Sequence, residues 1–471
     1  MSDALISAAQ AASAGPVIPV FLLTEEDADA YLERAPGFVR AYAELQQFSG
    51  KAGQVLAVPS SGGTIDRVLA GLGLSADADA MALRGLAAKA PGGDYRLAAP
   101  LPQRIDPQQA AIAFGLGAYR FDRYKRAKDA RPVRLIAPEG ADLAAALGVI
   151  HACALARDMI NTPANDMGPL QIETVAREIA QAYGARIAVT TGDALLEAGY
   201  PAVHAVGRSA TAARAPRMIE MTWTGAADES RPLVVLIGKG VVFDTGGLDI
   251  KPSSGMRTMK KDMGGAAHAL ALGRMVMAAG LPVRLAILLP VAENAISAES
   301  MRPGDVLNTR KGLTVEVGNT DAEGRLILAD ALTRAAELEP DLTIDLATLT
   351  GAARVALGPQ VVPFYTPDDA LAAELAACAA ETADPVWRMP LWKPYAEAVE
   401  GDISDLKNDP DAWAQAGSIT AALFLQRFAP QGAWAHLDIF AWNGRARPGW
   451  PAGGEVQAIR ALLALLTRRY G

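Results

Sequence analysis

Two stretches of this chain are apolar without a break, and both are short. Residues 233–237 read Leu-Val-Val-Leu-Ile, and residues 285–289 read Leu-Ala-Ile-Leu-Leu. A strand with one wet face would alternate apolar and polar side chains. An unbroken run of this length is expected of a strand covered on both faces, as in parallel sheets packed between helices. The rest of the chain fits that setting. Strand-like runs at 17–23, 133–136, 187–191, 219–223, 283–289, 313–317 and 342–347 alternate with Ala/Leu-rich helical stretches at 141–160, 169–183, 265–279 and 325–338. The expected fold is α/β with two domains, a smaller N-terminal α/β domain and a larger C-terminal catalytic domain. The latter has a mainly parallel central sheet flanked by helices.

The length of 471 residues accommodates two such domains. A long helical stretch begins after Ala137-Pro-Glu-Gly and stops at Asn161-Thr-Pro, where Pro163 disfavours continuation. The expected division is 1–137, a connecting helix over 138–160, and a catalytic domain over 161–471.

Composition narrows the function. With 51% hydrophobic and 20% charged residues the chain is not disordered. Lys+Arg 44 against Asp+Glu 52 gives a net charge of −8, which argues against general binding to nucleic acid or anionic membranes. The two cysteines, Cys153 and Cys378, cannot form a four-cysteine zinc site or a disulfide scaffold. The four histidines (His151, His204, His268 and His436) lack HExxH spacing, so a metal site would rest on carboxylates. The first basic residue is Arg34, unlike a signal peptide, and apolar runs such as 285–291 fall short of a bilayer span. A cytoplasmic enzyme without a membrane partner is expected.

The chemistry-bearing residues gather in two clusters. One follows the 233–237 strand and carries Lys239, Asp244, Lys251 and Asp262 on glycine-rich backbone. Strand carboxyl ends are where open α/β sheets bind ligands. The segment is not a Walker A loop, a dinucleotide fingerprint or an EF-hand. The second cluster, Gly318-Asn-Thr-Asp321-Ala-Glu323-Gly-Arg325-Leu, opens a helix. Each has a plain alternative. Asp262 could cap the next helix, and Thr320-Asp-Ala-Glu323 matches a capping box. Four carboxylates gathered at one place would, however, repel one another unless cations neutralised them. Paired divalent metals of the kind that hydrolyse amides and phosphoesters would do so. Oxygen ligands favour Mg or Mn, and a nitrogen ligand such as neutral Lys239 would favour Zn or Co.

Together the clusters resemble the leucyl aminopeptidase family of cytosolic two-metal exopeptidases. The resemblance rests on Asn319-Thr-Asp-Ala-Glu-Gly-Arg-Leu326 and the Gly-Lys-Gly…Phe-Asp-Thr-Gly-Gly…Lys-Pro…Lys-Asp-Met run. Asn161-Thr-Pro-Ala-Asn-Asp-Met-Gly-Pro169 and Ala347-Thr-Leu-Thr-Gly-Ala352 add to it. It implies a metal-dependent aminopeptidase acting on peptides with a free N-terminus, using a metal-bridging water. Asp244 and Glu323 would bridge two divalent ions, Mn or Zn before Mg or Co. Lys239 and Asp262 would complete one site and Asp321 the other. Lys251 would stabilise the oxyanion, and Arg325 would hold a bicarbonate. Met259, Thr348, Leu349 and Gly351 would line the pocket for the first side chain. A homo-hexamer is implied. The chain departs from the family after His436-Leu-Asp-Ile439, where Phe440-Ala-Trp442 replaces small residues, so a preference other than leucine is expected.

Two alternatives remain open at this point. One is a DNA-binding role through the N-terminal domain, with Arg120, Arg123, Lys125, Arg126, Lys128, Arg131 and Arg134 as the basic stretch. The other is a two-metal hydrolase of another class, such as a phosphoesterase.

Overall fold

The computed structural model describes residues 4–12, 16–125, 131–225, 230–410 and 415–471. The chain divides into two compact units, Met1–Ala154 with Asn443–Ala452, and Leu155–Trp442 with Gly453–Gly471. The sequence gives no sign that residues 443–452 leave the larger unit. What ties them to the smaller one is Arg84. Its Nε donates to the Gly449 carbonyl (2.9 Å), and its guanidinium lies 4.3 Å from the Trp450 ring centroid.

The first unit is a six-stranded sheet of β1 (Leu5–Ile6), β2 (Val17–Thr24), β3 (Val55–Pro59), β4 (Ile65–Gly73), β5 (Gly93–Leu97) and β6 (Val133–Ile136). Its order is β1-β6-β5-β2-β4-β3. All pairs are parallel except β3 with β4. Of the basic stretch expected here, Arg126 and Lys128 lie outside the described residues. Arg134 is not a spare cation, since its Nε and Nη2 donate to the Asp94 carboxylate at 2.7 and 2.8 Å.

The second unit is built on a nine-stranded sheet of β7 (Arg186–Thr191), β8 (Arg217–Trp223), β9 (Leu233–Gly238), β10 (Gly240–Asp244) and β11 (Arg284–Asn294). It continues with β14 (Leu342–Ala347), β15 (Val362–Tyr365), β16 (Val386–Arg388) and β18 (Ala433–Asp438). The centre, β18-β14-β9-β11, is parallel throughout, and β10 joins β11 in parallel. Antiparallel pairs are confined to the flanks, β11-β8-β7 and β18-β15. The two apolar runs are the middle strands β9 and β11, buried on both faces as their composition requires. Helices Gly264–Ala278 and Glu323–Ala336 both pack on β9 and β11. The carboxyl ends of the parallel strands therefore open on one edge, where the site lies.

The strand expected over 313–317 is shorter and belongs elsewhere. Thr314–Glu316 (β13) sits between β12 (Val306–Asn308) and β17 (Leu406–Lys407) in a separate three-stranded sheet. Only Val315 of the three is buried, so this strand has one wet face and no place at the dry centre.

The helix Leu143–Asn161 is the one helix among the described residues long and apolar enough to cross a bilayer. Of its apolar window 56% is buried inside the protein, as in a core helix.

Candidate metal centre and active site

Four elements bring the two clusters to one place. Lys239 follows β9, Asp244 ends β10, and Asp262 lies on the 3-10 turn Met259–Met263 that leads into helix Gly264–Ala278. That helix approaches the strand ends closely because Gly265 has no side chain. A Cβ there would stand 2.1 Å from the Leu346 carbonyl oxygen and 2.7 Å from the Lys239 nitrogen. Glu323 and Arg325 occupy the first turn of helix Glu323–Ala336. Gly324 between them leaves room for Lys239, since a Cβ at 324 would lie 2.7 Å from its Cε and Nζ.

The plain alternatives fail at both clusters. Asp262 does not cap a helix. Helix Gly264–Ala278 begins at Met263 with no side-chain cap, while Asp262 Oδ1 accepts from Thr348 Oγ1 (2.7 Å). Nor is there a capping box at 320–323. The cap residue is Ala322. Thr320 instead clasps the opposite loop, donating from Oγ1 to the Gly246 carbonyl (2.5 Å) and accepting from the Asp249 amide (2.9 Å). Glu323 is then aimed at Lys239.

Lys239 Nζ lies 2.7 Å from Asp262 Oδ2 and 2.9 Å from Glu323 Oε1, and it donates to the Thr348 carbonyl at 3.1 Å. Lys251 Nζ is 2.8 Å from Asp244 Oδ2 and also pairs with Asp321. Lys239, Asp244, Asp262 and Glu323 are each at most 3% exposed. Burial opposes a charged Lys239, but Asp262, Glu323 and Asp244 outweigh it and hold the amine protonated above the usual lysine range. Burial first, and the Asp244 charge second, push Glu323 up to about 8 and Asp321 up to about 6. Burial would raise Asp262 as well, yet Lys239 and Lys261 keep it low. Lys261 itself is pulled down to about 8 by burial. These are the signs of more carboxylate than the lysines satisfy.

Asp244, Asp262 and Glu323 offer oxygens within 4.8 Å of one another, all buried, which is a spacing one cation can span. The donor set therefore fits a hard divalent metal. For Lys239 to serve as a nitrogen ligand, the charge of bound dications must displace its proton.

Every residue expected to hold metal, act on the substrate or line its pocket is at this site. Lys239, Asp244, Lys251, Met259, Asp262, Asp321, Arg325, Thr348, Leu349 and Gly351 line one cavity of about 580 Å³, and Glu323 reaches it through Lys239. Sequence reasoning missed the residues that hold these in place. Asn294, the last residue of β11, donates to Asp244 Oδ1 (2.8 Å) and to the Thr320 carbonyl (3.1 Å). Asn408, after β17, accepts from the Gly318 amide (2.8 Å) and donates to the Asn319 carbonyl (2.7 Å) and the Ala322 carbonyl (3.3 Å). Arg325 donates to the Asn408 carbonyl (2.6 Å), and its buried Nε has no acceptor among the described residues. The signal for Asn294 was a polar residue closing a long apolar strand. No local pattern marks Asn408.

Residues 154–463 match the model of the cytosol aminopeptidase family, catalytic domain, and residues 18–138 match the M17 aminopeptidase N-terminal domain. This chain belongs to the cytosol aminopeptidase family. It is a metal-dependent aminopeptidase, a hydrolase that removes residues from peptide N-termini. The probable cytosol aminopeptidase of Syntrophotalea carbinolica is 39% identical over 461 residues, 90% of each chain. The crystal structure of the cytosol aminopeptidase from Coxiella burnetii superposes with a TM-score of 0.90 at 40% identity, covering 100% of both chains. The bottromycin maturation enzyme BotP in complex with Mn is similar at a TM-score of 0.84 and 34% identity, over 96% of this chain and 99% of that one. Neither a DNA-binding role nor another hydrolase class is favoured by these matches.

Proposed function

We propose that this aminopeptidase works with two divalent cations held by Lys239, Asp244, Asp262, Asp321 and Glu323. Asp244 and Glu323 are shared between them, Lys239 and Asp262 complete one site, and Asp321 completes the other. The observation that carries this is the triad of buried carboxylates within 4.8 Å of one another beside a buried lysine. Mn or Zn is the expected occupant, since the carboxylates suit Mn and the amine suits Zn, and BotP was solved in complex with Mn. When bound, the cations supply Lewis-acid polarisation and acidify water to near neutral pH.

The remaining work belongs to the chain. Lys251 donates toward the oxyanion that develops on the scissile carbonyl and stabilises it. Arg325, with its Nε unmatched, holds a bicarbonate and so places a general base beside the attacking water. Met259, Thr348, Leu349 and Gly351 receive the first side chain of the peptide. The preference for a free α-amine follows from that amine's capacity to ligate. The enzyme acts in the cytosol as a homo-hexamer on peptide substrates. The test is release of p-nitroaniline from amino-acid anilides by metal-stripped protein given Mn, Zn, Co or Mg. Unblocked anilides are cleaved on metal addition and N-acetylated ones are not. Equal cleavage of both would refute the exopeptidase reading.

A further inference from the structure

We infer that the pocket for the first side chain is built for an acidic residue, so that the preferred substrates are peptides beginning with Glu or Asp. This rests on the aminopeptidase reading of the same cavity given above.

The cavity is lined by five cations, and three of them are engaged. Lys239 and Lys251 are paired with the metal-site carboxylates, and Arg325 donates to the Asn408 carbonyl. The other two, Lys261 and Arg354, have neither an ion pair nor a hydrogen bond from their side chains among the described residues. Both instead lie against one ring. Lys261 Nζ is 4.9 Å and Arg354 Cζ is 5.2 Å from the centroid of Phe440. Phe440 belongs to the stretch that departs from the family pattern, and it lines the same cavity as Leu349 and Met259.

Lys261 is only 6% exposed. The carboxylates whose charge reaches it are already committed. Asp262 is held by Lys239 and Thr348. Asp438 accepts from the Leu349 and Thr350 amides and from Thr350 Oγ1. The buried Lys261 ammonium and the exposed Arg354 guanidinium lie against the same ring without a counter-ion among the described residues, and the ring compensates only part of the desolvation cost of Lys261. A Glu or Asp side chain supplies what is missing. Its methylenes lie on Phe440 and Met259, and its carboxylate meets the two cations. Leucine would bury Lys261 further without pairing it, and lysine would be repelled by both cations.

The experiment uses the Mn-loaded full chain and five anilides, those of Glu, Asp, Leu, Ala and Lys. The expected result is a kcat/KM for the Glu anilide at least about tenfold above that for the Leu anilide. In Arg354→Glu the Glu-to-Leu ratio falls at least about tenfold and the Lys anilide gains on Leu, a reversal that misfolding could not produce. Lys261→Gln lowers the Glu-to-Leu ratio with metal content measured alongside, because its neighbour Asp262 is a proposed ligand. A wild type that cleaves Leu as fast as Glu overturns the inference and leaves the aminopeptidase reading standing. A Glu preference unchanged in both variants overturns it equally. Cleavage of no anilide by fully metal-loaded protein would instead bring down the aminopeptidase reading, and this inference with it.

Discussion

Gly324→Ala strikes the site harder than the fold. Position 324 lies in the first turn of helix Glu323–Ala336 with ordinary helical backbone, so alanine costs the helix nothing and favours it by roughly 0.5–1 kcal/mol. The added Cβ, however, would stand 2.7 Å from Lys239 Cε and Nζ and 2.8 Å from Cδ. Carbon contacts relax at about 3.5 Å or more, so the lysine must retreat by roughly 0.7 Å. It has little room, because Nζ is fixed by Asp262, Glu323 and the Thr348 carbonyl at 2.7, 2.9 and 3.1 Å. A misplacement near 1 Å at a catalytic centre costs about a hundredfold, or about 2.7 kcal/mol. The variant should therefore still fold but melt somewhat lower, since overpacking costs about 1–3 kcal/mol against the helix gain, and it should bind metal less tightly and lose about a hundredfold in kcat/KM on its best anilide. Thermal melting by circular dichroism, metal titration and anilide kinetics on one preparation make the comparison. Full activity in a well-folded Gly324→Ala would refute the claim that Lys239 must sit where it does.

Three further outcomes are expected. Glu323→Ala should lose bound metal and activity together, and two metals per chain in that variant by elemental analysis would contradict its role. Lys251→Ala should depress kcat by about 100–1000-fold with a much smaller change in KM, because its ammonium acts on the developing charge; an unchanged kcat would count against it. His268 ties stability to pH. Its Nδ1–H donates to the Gly264 carbonyl (2.6 Å) and its Nε2 accepts from the Gln457 amide (3.0 Å), so the ring is held neutral, and burial pulls it down to about 4. A depressed folded value means that this stabilisation is complete above pH 6.5 and drains as pH falls toward 4, by about 3 kcal/mol in all. The stability gap between the parent and His268→Gln, from urea unfolding, should narrow between pH 7 and pH 4.5.

Much of this was legible in the chain, for physical reasons that differ from place to place. β9 and the helix Pro169–Tyr183 follow directly from composition, because a dry strand tolerates no polar residue and an amphipathic helix tolerates no other period. The site residues were legible because carboxylates and lysines at strand ends have few other uses at such density. What escaped was whatever depends on distant partners. Thr320 and Glu323 satisfy the capping-box pattern perfectly well, yet each is claimed by a partner some 70–85 residues earlier, Gly246 and Lys239. Likewise β13 looks like any short strand until its wet face excludes it from the main sheet, and residues 443–452 follow the distant Arg84.

Asn408 carries a consequence for how the enzyme comes to life. The loop bearing Asp321 and Glu323 takes its shape from a side chain made almost ninety residues later. A ribosome that has finished both carboxylates has not yet delivered the residue that fastens them. The parallel strand β18, beside β14, is later still. These contacts can form only after most of the second unit has been synthesised. A fragment ending before residue 408 would keep every proposed metal ligand and still lack the fastening that arranges them.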